Sequence, residues 1–339
     1  DSVDALADPG VGAACPKILL AGQFVSCTVE AATHRRGLGD RRDLGVRVSG
    51  ARVGDVDVWR RTRFAEGFWG FEPMPRGEEG GQWTTARATL LVPAPDDTTE
   101  SAAPAGRTEP VERSIALRLA SDASTAVTVR CGTQGTASTV GPTPAWVTVE
   151  SDAAPIDVIN NVGSIRHPDG SVSDRGWLQP DDGRYDEPVD VAVWCGGAVA
   201  LSRAYLDDVG IFDERLFLYY EDVELSLRGT ARGWRYRTAP GSVVRHVHAA
   251  TSGEGSAFKE RYNDRNRLLV AARHDPAGVG TAAALRYALA TGSSARRDVL
   301  ARVLRGERPD TAIVRRRLGA LGGFARALPG TWRDRRLTT

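Results

Sequence analysis

Methionine, lysine and cysteine are nearly missing from these 339 residues. Met74 is the only methionine, so Asp1 is not a translation start and the chain reads as a fragment or a processed product. Lys17 and Lys259 are the only lysines among 44 basic residues, an arginine bias of the kind a GC-rich genome imposes. No apolar run approaches the ~18 residues that a membrane-spanning helix needs. The first residues lack the basic-then-apolar pattern of a signal peptide. Cys15, Cys27, Cys131 and Cys195 are widely spread with no CxxC pair. They read as reduced core residues of a cytosolic protein, not as a disulfide or metal set.

What is present is ordinary globular material, 41% hydrophobic and 26% charged. The length suits two domains or one domain with a large insertion. The net charge of +1 hides an asymmetry. Residues 281–339 carry 13 arginines against four acids, a net of +9, so the remainder carries −8. A basic tail on an acidic body points to a polyanionic surface, membrane or nucleic acid. No recognised binding motif accompanies the charge, which argues against nucleic acid. Val314, Leu318, Leu321 and Leu328 recur at roughly helical spacing beside Arg315, Arg316 and Arg317. A basic amphipathic helix of that kind suits membrane-surface contact, although Gly319, Gly322 and Gly323 break the pattern.

The texture changes twice along the chain. Residues 2–7 look like a helix end stopped by Pro9 and Gly10, and "VGAACPKILL" reads as a buried strand. From about Phe24 to Glu150 come short segments, several alternating apolar and polar, such as "AVTVRCG" and "AWVTVES". Val127, Val129 and Cys131 would face one side, Thr128 and Arg130 the other. Residues 93–112 form an acidic, Pro/Ala-rich loop. This stretch predicts an antiparallel β-sandwich. Its Trp59, Trp69, Trp83 and Trp146 are either a carbohydrate platform or core, and the spacer reading with core tryptophans is preferred. After "IDVINNVG" strands and helices alternate. "VDVAVWCGGAVALS" predicts a buried strand running into glycines, "SRAYLDDVG" a short helix, 221–234 a second helix, "SVVRHVHA" a strand and "ERYNDRNRLLVAAR" a helix. The fold class is α/β, interrupted by the sandwich and followed by a helical tail.

The order of motifs is the strongest signal. "CGGAVALSRAYLDDVGIFDERLFLYYEDVELSLRGTARGW", then "SVVRHVHAATSG", then "RYNDRNRLL" resembles the C-terminal half of inverting family 2 glycosyltransferases, the bacterial rhamnosyltransferase-like members most of all. "ADPGVGAACPKILL" is similar to that family's helix–strand step just after its metal-binding DxD. The resemblance covers about residues 1–27 and 157–275. It implies a partial GT-A-like core there, an inserted sandwich at 28–156 and a basic helical region at 276–339.

The resemblance also implies roles. Asp222 would be the base that takes a proton from the acceptor hydroxyl, with Glu221 as its neighbour on donor or acceptor hydroxyls. As residues alone, both acids suit a helix start. A divalent metal, Mn or Mg, would neutralise the diphosphate leaving group. His246 or His248 matches the family's late metal ligand, and the two share one strand face. Gly196 and Gly197 would let backbone approach a sugar, or simply pack closely. Trp194 would stack on a sugar ring or sit in the core. Asp174 lies in the Asp/Gly-rich loop "HPDGSVSDRGWLQPDDGRYDEP", which resembles the acceptor-side loop and equally suits turns.

The departures matter. The family's nucleotide-binding strand–helix–strand unit and its DxD are not in these residues, so the chain reads as incomplete for activity. "DVD" at Asp55–Asp57 lies in an alternating strand pattern and is a decoy. The expected function is inverting transfer from a nucleotide sugar to a glycan or lipid-linked acceptor in cell-envelope polysaccharide synthesis. The expected location is cytoplasmic or peripheral on the inner membrane face. The alternative is a non-catalytic carbohydrate-binding or scaffold protein.

Overall fold

The structure, a computed structural model, describes residues 2–36, 40–70, 80–94, 114–247, 256–306 and 308–338. The acidic, Pro/Ala-rich loop falls almost wholly outside them, as does His248. The chain opens with α1 (Ser2–Ala5) and β1 (Val11–Leu20). There follow β2 (Phe24–Ala31), β3 (Arg47–Val53), β4 (Val56–Asp57), β5 (Arg63–Phe68), β6 (Gln82–Pro93), β7 (Ser114–Ala120), β8 (Thr125–Cys131), β9 (Gln134–Val140) and β10 (Ala145–Glu150). Short strands come next: β11 (Ile159–Asn161), β12 (Ser164–Arg166), β13 (Val172–Asp174), β14 (Asp190–Val191) and β15 (Ala200–Leu201). Then come α2 (Arg203–Val209), α3 (Glu221–Thr230), β16 (Arg235–His246), α4 (Ala257–His274), α5 (Ala277–Ser294), a π-helical segment at Ala295–Leu300, α6 (Ala301–Leu304) and α7 (Ala312–Thr338).

The chain divides into two compact units. One is Leu20–Val158 with Leu178–Asp181. Its strands form a nine-stranded sheet in the order β10-β7-β3-β6-β2-β8-β9, with β4 on β3 and β5 on β6. Its strand pairings are antiparallel. Alternation along β8 buries Val127, Val129 and Cys131 and turns Arg130 out, as a period of two requires. These side chains join Val25, Val29, Leu90, Leu117 and Val147 in one core. The unit's two ends meet, since Leu20 N–H donates to the Val158 carbonyl at 2.8 Å.

Two cysteines of this unit correct the reduced-thiol expectation. Antiparallel pairing of β2 with β8 sets Cys27 opposite Cys131. Their Cα atoms are 4.4 Å apart and the sulfurs are bonded. Cys15 and Cys195 remain thiols. The tryptophans divide. Trp83 is buried and Trp59 packs on the core. Trp69 donates its indole N–H to the Asp43 carbonyl, while Trp146 is exposed beneath the Arg52 guanidinium. Asp57 of the "DVD" accepts from the Trp59 N–H at 2.9 Å, starting a turn of 3-10 helix.

The other unit comprises Asp1–Leu19, Ile159–Trp177 and Asp182–Thr339. Its sheet runs β11-β1-β16-β14, with β15 paired to β1. Every residue of β1 is buried. The pairings of β1 with β11 and β15, and of β14 with β16, are antiparallel. The architecture is thus mixed α/β with antiparallel sheets and C-terminal helices. The expected strand 189–202 is only β14 and β15, separated by the turn at Gly196 and Gly197. The helix expected to reach Trp234 stops at Thr230, because the chain reverses at Gly233 with φ of +90°.

The tail is not broken at its glycines. α7 runs through Gly319, Gly322 and Gly323 and packs along α4. A Cβ at Gly319 would sit 3.1 Å from Arg261 Nε, and one at Gly323 3.0 Å from Arg265 Cδ. The missing side chains therefore make room for arginine stems from α4. Leu268, Ala283, Tyr287 and Ala320 form the core of this helical layer. Among the described residues no helix is long and apolar enough to cross a membrane.

Candidate functional site

The site grows from the start of α3. Phe217, Tyr219 and Tyr220 all have φ between +64° and +69°. That left-handed conformation costs a non-glycine residue about 1–3 kcal/mol. Asn266 of α4 holds the strained segment in place. The two N–H bonds of its buried side-chain amide are shared among the carbonyls of Leu216 and Leu218 at 2.8 Å and of Tyr219 at 2.7 Å. The turn delivers Glu221 and Asp222 as the first residues of the helix.

Asp222 is half-buried and doubly held. Its Oδ2 accepts from Gly196 N–H at 2.8 Å and its Oδ1 from Val223 N–H at 2.8 Å. A Cβ at Gly196 would lie 3.3 Å from both Cβ and Oδ2 of Asp222. Glycine thus serves the approach of a carboxylate at this position. Loss of solvent raises the Asp222 carboxyl above its ordinary range, against the two backbone N–H bonds, and the nearby Asp174 charge adds to the rise. Glu221 is raised by burial and then by Asp222, and its buried Oε2 has no hydrogen-bond partner.

Asp174 belongs to the same group. It keeps solvent access on β13. Surrounding protein still raises its carboxyl, opposed by a 2.6 Å hydrogen bond from Asn161 Nδ2 and by the charge of Lys259. Burial first, and then the charges of Asp222, Asp174 and Glu221, push the Cys195 thiol up to about 12. Such a thiol stays protonated and is not a nucleophile.

His246 ends β16 on the other side of the glycine turn. A Cβ on Gly197 would be 4.0 Å from its Cε1. Its Nδ1 meets Asn160 Oδ1 at 2.7 Å, which assigns the ring proton to Nδ1. The two asparagines of β11 therefore each orient one candidate residue, Asn160 the imidazole and Asn161 Asp174. Among the described residues no three His, Cys, Asp or Glu side chains gather into a metal-ligating group. His248, the other candidate ligand, lies outside the described residues.

Trp194 lies fully buried with Ala13, Cys15, Tyr205 and Leu225, so its ring cannot stack on a sugar. Exposed aromatics stand elsewhere. Phe217 stacks on Tyr262 with ring centres 5.5 Å apart, and Phe258 on Tyr262 at 4.8 Å. Phe217 and Phe258 are both exposed. Lys259 Nζ lies 5.6 Å over the Tyr219 ring. These residues escaped sequence reasoning, although "LFLYY" and "AFKERY" concentrate aromatics on either side of the acids.

A buried ionic network backs the site. Glu224 is 1% exposed. Its Oε1 accepts from Arg273 Nη1 at 2.7 Å and contacts His274 Nε2 at 3.2 Å, and its Oε2 accepts from Arg228 Nε at 2.8 Å. Arg273 also pairs with Asp213 of the G-x-F-D-E segment at 3.1 Å. Burial alone would raise the Glu224 carboxyl; the bond to His274 and the charges of Arg228 and Arg273 outweigh it and hold the carboxyl below its ordinary range.

Compared with models of known protein families and with curated proteins, the chain matches none.

Proposed function

We propose that the unit containing α3 is the acceptor side of a glycosyltransferase with a GT-A-like fold, transferring a sugar with inversion from a nucleotide sugar to a glycan or lipid-linked acceptor. The observation that carries this reading is the setting of Asp222. Its carboxylate is oriented by Gly196 N–H, half-buried at a helix start, and raised above its ordinary range by desolvation. A base tuned upward in that way removes a hydroxyl proton better than a fully solvated aspartate. Glu221, with an unpartnered buried oxygen, and Asp174 offer acceptors for sugar hydroxyls beside it.

In the reaction the acceptor hydroxyl donates its proton to Asp222 as its oxygen bonds to the anomeric carbon, and the nucleoside diphosphate leaves with the bonding electrons. The exposed rings of Phe217 and Phe258, both packed on the half-buried Tyr262, suit the apolar face of an acceptor sugar. A divalent metal, expected from the resemblance, would neutralise the leaving diphosphate, and His246 would be one of its ligands. Cell-envelope polysaccharide synthesis on the cytoplasmic side of the membrane is the setting that fits such an acceptor.

The test uses the full-length protein, with any segment encoded upstream of Asp1. It is incubated with a panel of nucleotide sugars and glycan or polyprenyl-linked acceptors. Nucleoside diphosphate release and the anomeric configuration of the product are followed by NMR. Acceptor-dependent release with an inverted product supports the reading; a retained configuration contradicts it.

A further inference from the structure

The 18 residues of α5 contain one charged side chain, Arg286. A helix that is apolar around its whole circumference is ordinarily buried on every side. This helix is not. Gly280, Ala283, Tyr287, Thr291 and Ser294 make the buried face. A Cβ at Gly280 would meet the Ala271 carbonyl oxygen at 2.9 Å, so that face lies hard against α4. Leu285 and Leu289, one turn apart on the opposite face, are 58% and 64% exposed. Leu300, Val303 and Leu304, in the π-helical segment and α6 that follow, are exposed as well.

Charge surrounds these leucines with one sign. Between residues 277 and 306 stand Arg286, Arg296, Arg297, Arg302 and Arg305, against Asp298 as the one acid. Asp298 is itself paired with Arg297. Two of the arginines of α7 are engaged within the unit. Arg316 pairs with Glu260, and Arg317 lies 5.6 Å over the Tyr287 ring.

We infer that the outer face of α5 and α6 docks on an anionic lipid bilayer. Leu285, Leu289, Val303 and Leu304 enter the interfacial region while the arginines meet headgroup phosphates. The charge pattern selects lipid over a second copy of this chain. A two-fold contact on this face would bring the same five arginines against each other. This contact on α5 and α6 does not depend on the proposed sugar transfer.

The experiment is co-sedimentation of the whole chain with vesicles of phosphatidylcholine alone or mixed with phosphatidylglycerol, at low and high salt. Partitioning onto anionic vesicles should exceed that onto neutral ones by at least ~10-fold and fall with salt. Leu285→Ser with Leu289→Ser, and separately Arg296→Glu with Arg305→Glu, should each weaken it by ~10-fold or more. All four side chains are exposed, so circular-dichroism melting should match the parent. Absent binding, equal binding to both vesicle types, or binding unchanged in both variants would overturn the inference. So would a lipid-free dimer, seen by sedimentation equilibrium, that the leucine variant dissolves.

Discussion

Replacing Glu224 by Gln should cost far more than its modest change in shape suggests. The carboxylate faces two guanidiniums whose side chains are only 16% and 12% exposed, those of Arg228 and Arg273. An amide in its place keeps one acceptor oxygen and turns an N–H₂ toward a donor. Two buried cations then lose their shared counter-charge. Breaking such a pair costs about 3–5 kcal/mol. The low end applies, because Arg228 keeps the Val209 and Ile211 carbonyls and Arg273 keeps Asp213. For a unit of this size, about 3 kcal/mol lowers Tm by roughly 6–12 °C. The pH dependence gives a second, signed readout. The folded carboxyl is held below its ordinary range, so its stabilisation is complete above the unfolded pKa of about 4.3 and is lost as pH falls through the depressed folded value. Differential scanning calorimetry of parent and Glu224→Gln from neutral pH into the acid range should show the gap in Tm narrowing as pH drops. A neutral-pH shift below about 2 °C, or a gap that widens in acid, would refute the reasoning.

Three further outcomes follow from the same geometry. Removing the Cys27–Cys131 bond, which closes a 104-residue separation, should destabilise its own unit by about 2–5 kcal/mol, read by urea unfolding of the double serine variant with and without reductant in the parent. Asn266→Ala leaves three carbonyls of a strained segment without their donor and should cost about 2–3 kcal/mol in the same assay, whereas a value near zero would show the segment holds itself. Gly196→Ala pushes a methyl to 3.3 Å from the Asp222 carboxylate and should slow transfer by about 10-fold, with little change in melting.

Local pattern carried the elements that one face or one run defines. The unbroken apolar run of β1 is buried throughout, and the alternation of β8 points its side chains as a period of two demands. Ser202 caps α2 through Tyr205 N–H, as a serine before a helical pattern should. What sequence left out depends on register and packing between distant segments. Cys27 and Cys131 meet because of one particular strand pairing, which no local spacing encodes. Trp194 is core because β1 and α2 close over it. The glycines of α7 looked like breaks because the arginine stems they accommodate come from α4. Asn266 and Glu224 carried a signal that can be recognised. Each is a polar residue within a largely apolar stretch of helix, Asn266 on the face of Leu269 and Val270, Glu224 on that of Leu227. Polar groups in such places are kept where they have partners to satisfy.

The central claim is that Asp222 accepts the proton of the attacking hydroxyl. Asp222→Asn changes one atom, keeps an oxygen for a hydrogen bond, and removes the base. Once a donor and acceptor pair has been found for the full-length protein, the turnover of this variant decides the matter. The parent's activity should rise with pH through a group above the ordinary aspartate range, because desolvation raises that carboxyl and only its deprotonated form can act. The variant should lose at least ~100-fold in kcat with its melting curve preserved. Activity within a few-fold of the parent, with the acid limb unchanged, would contradict the account.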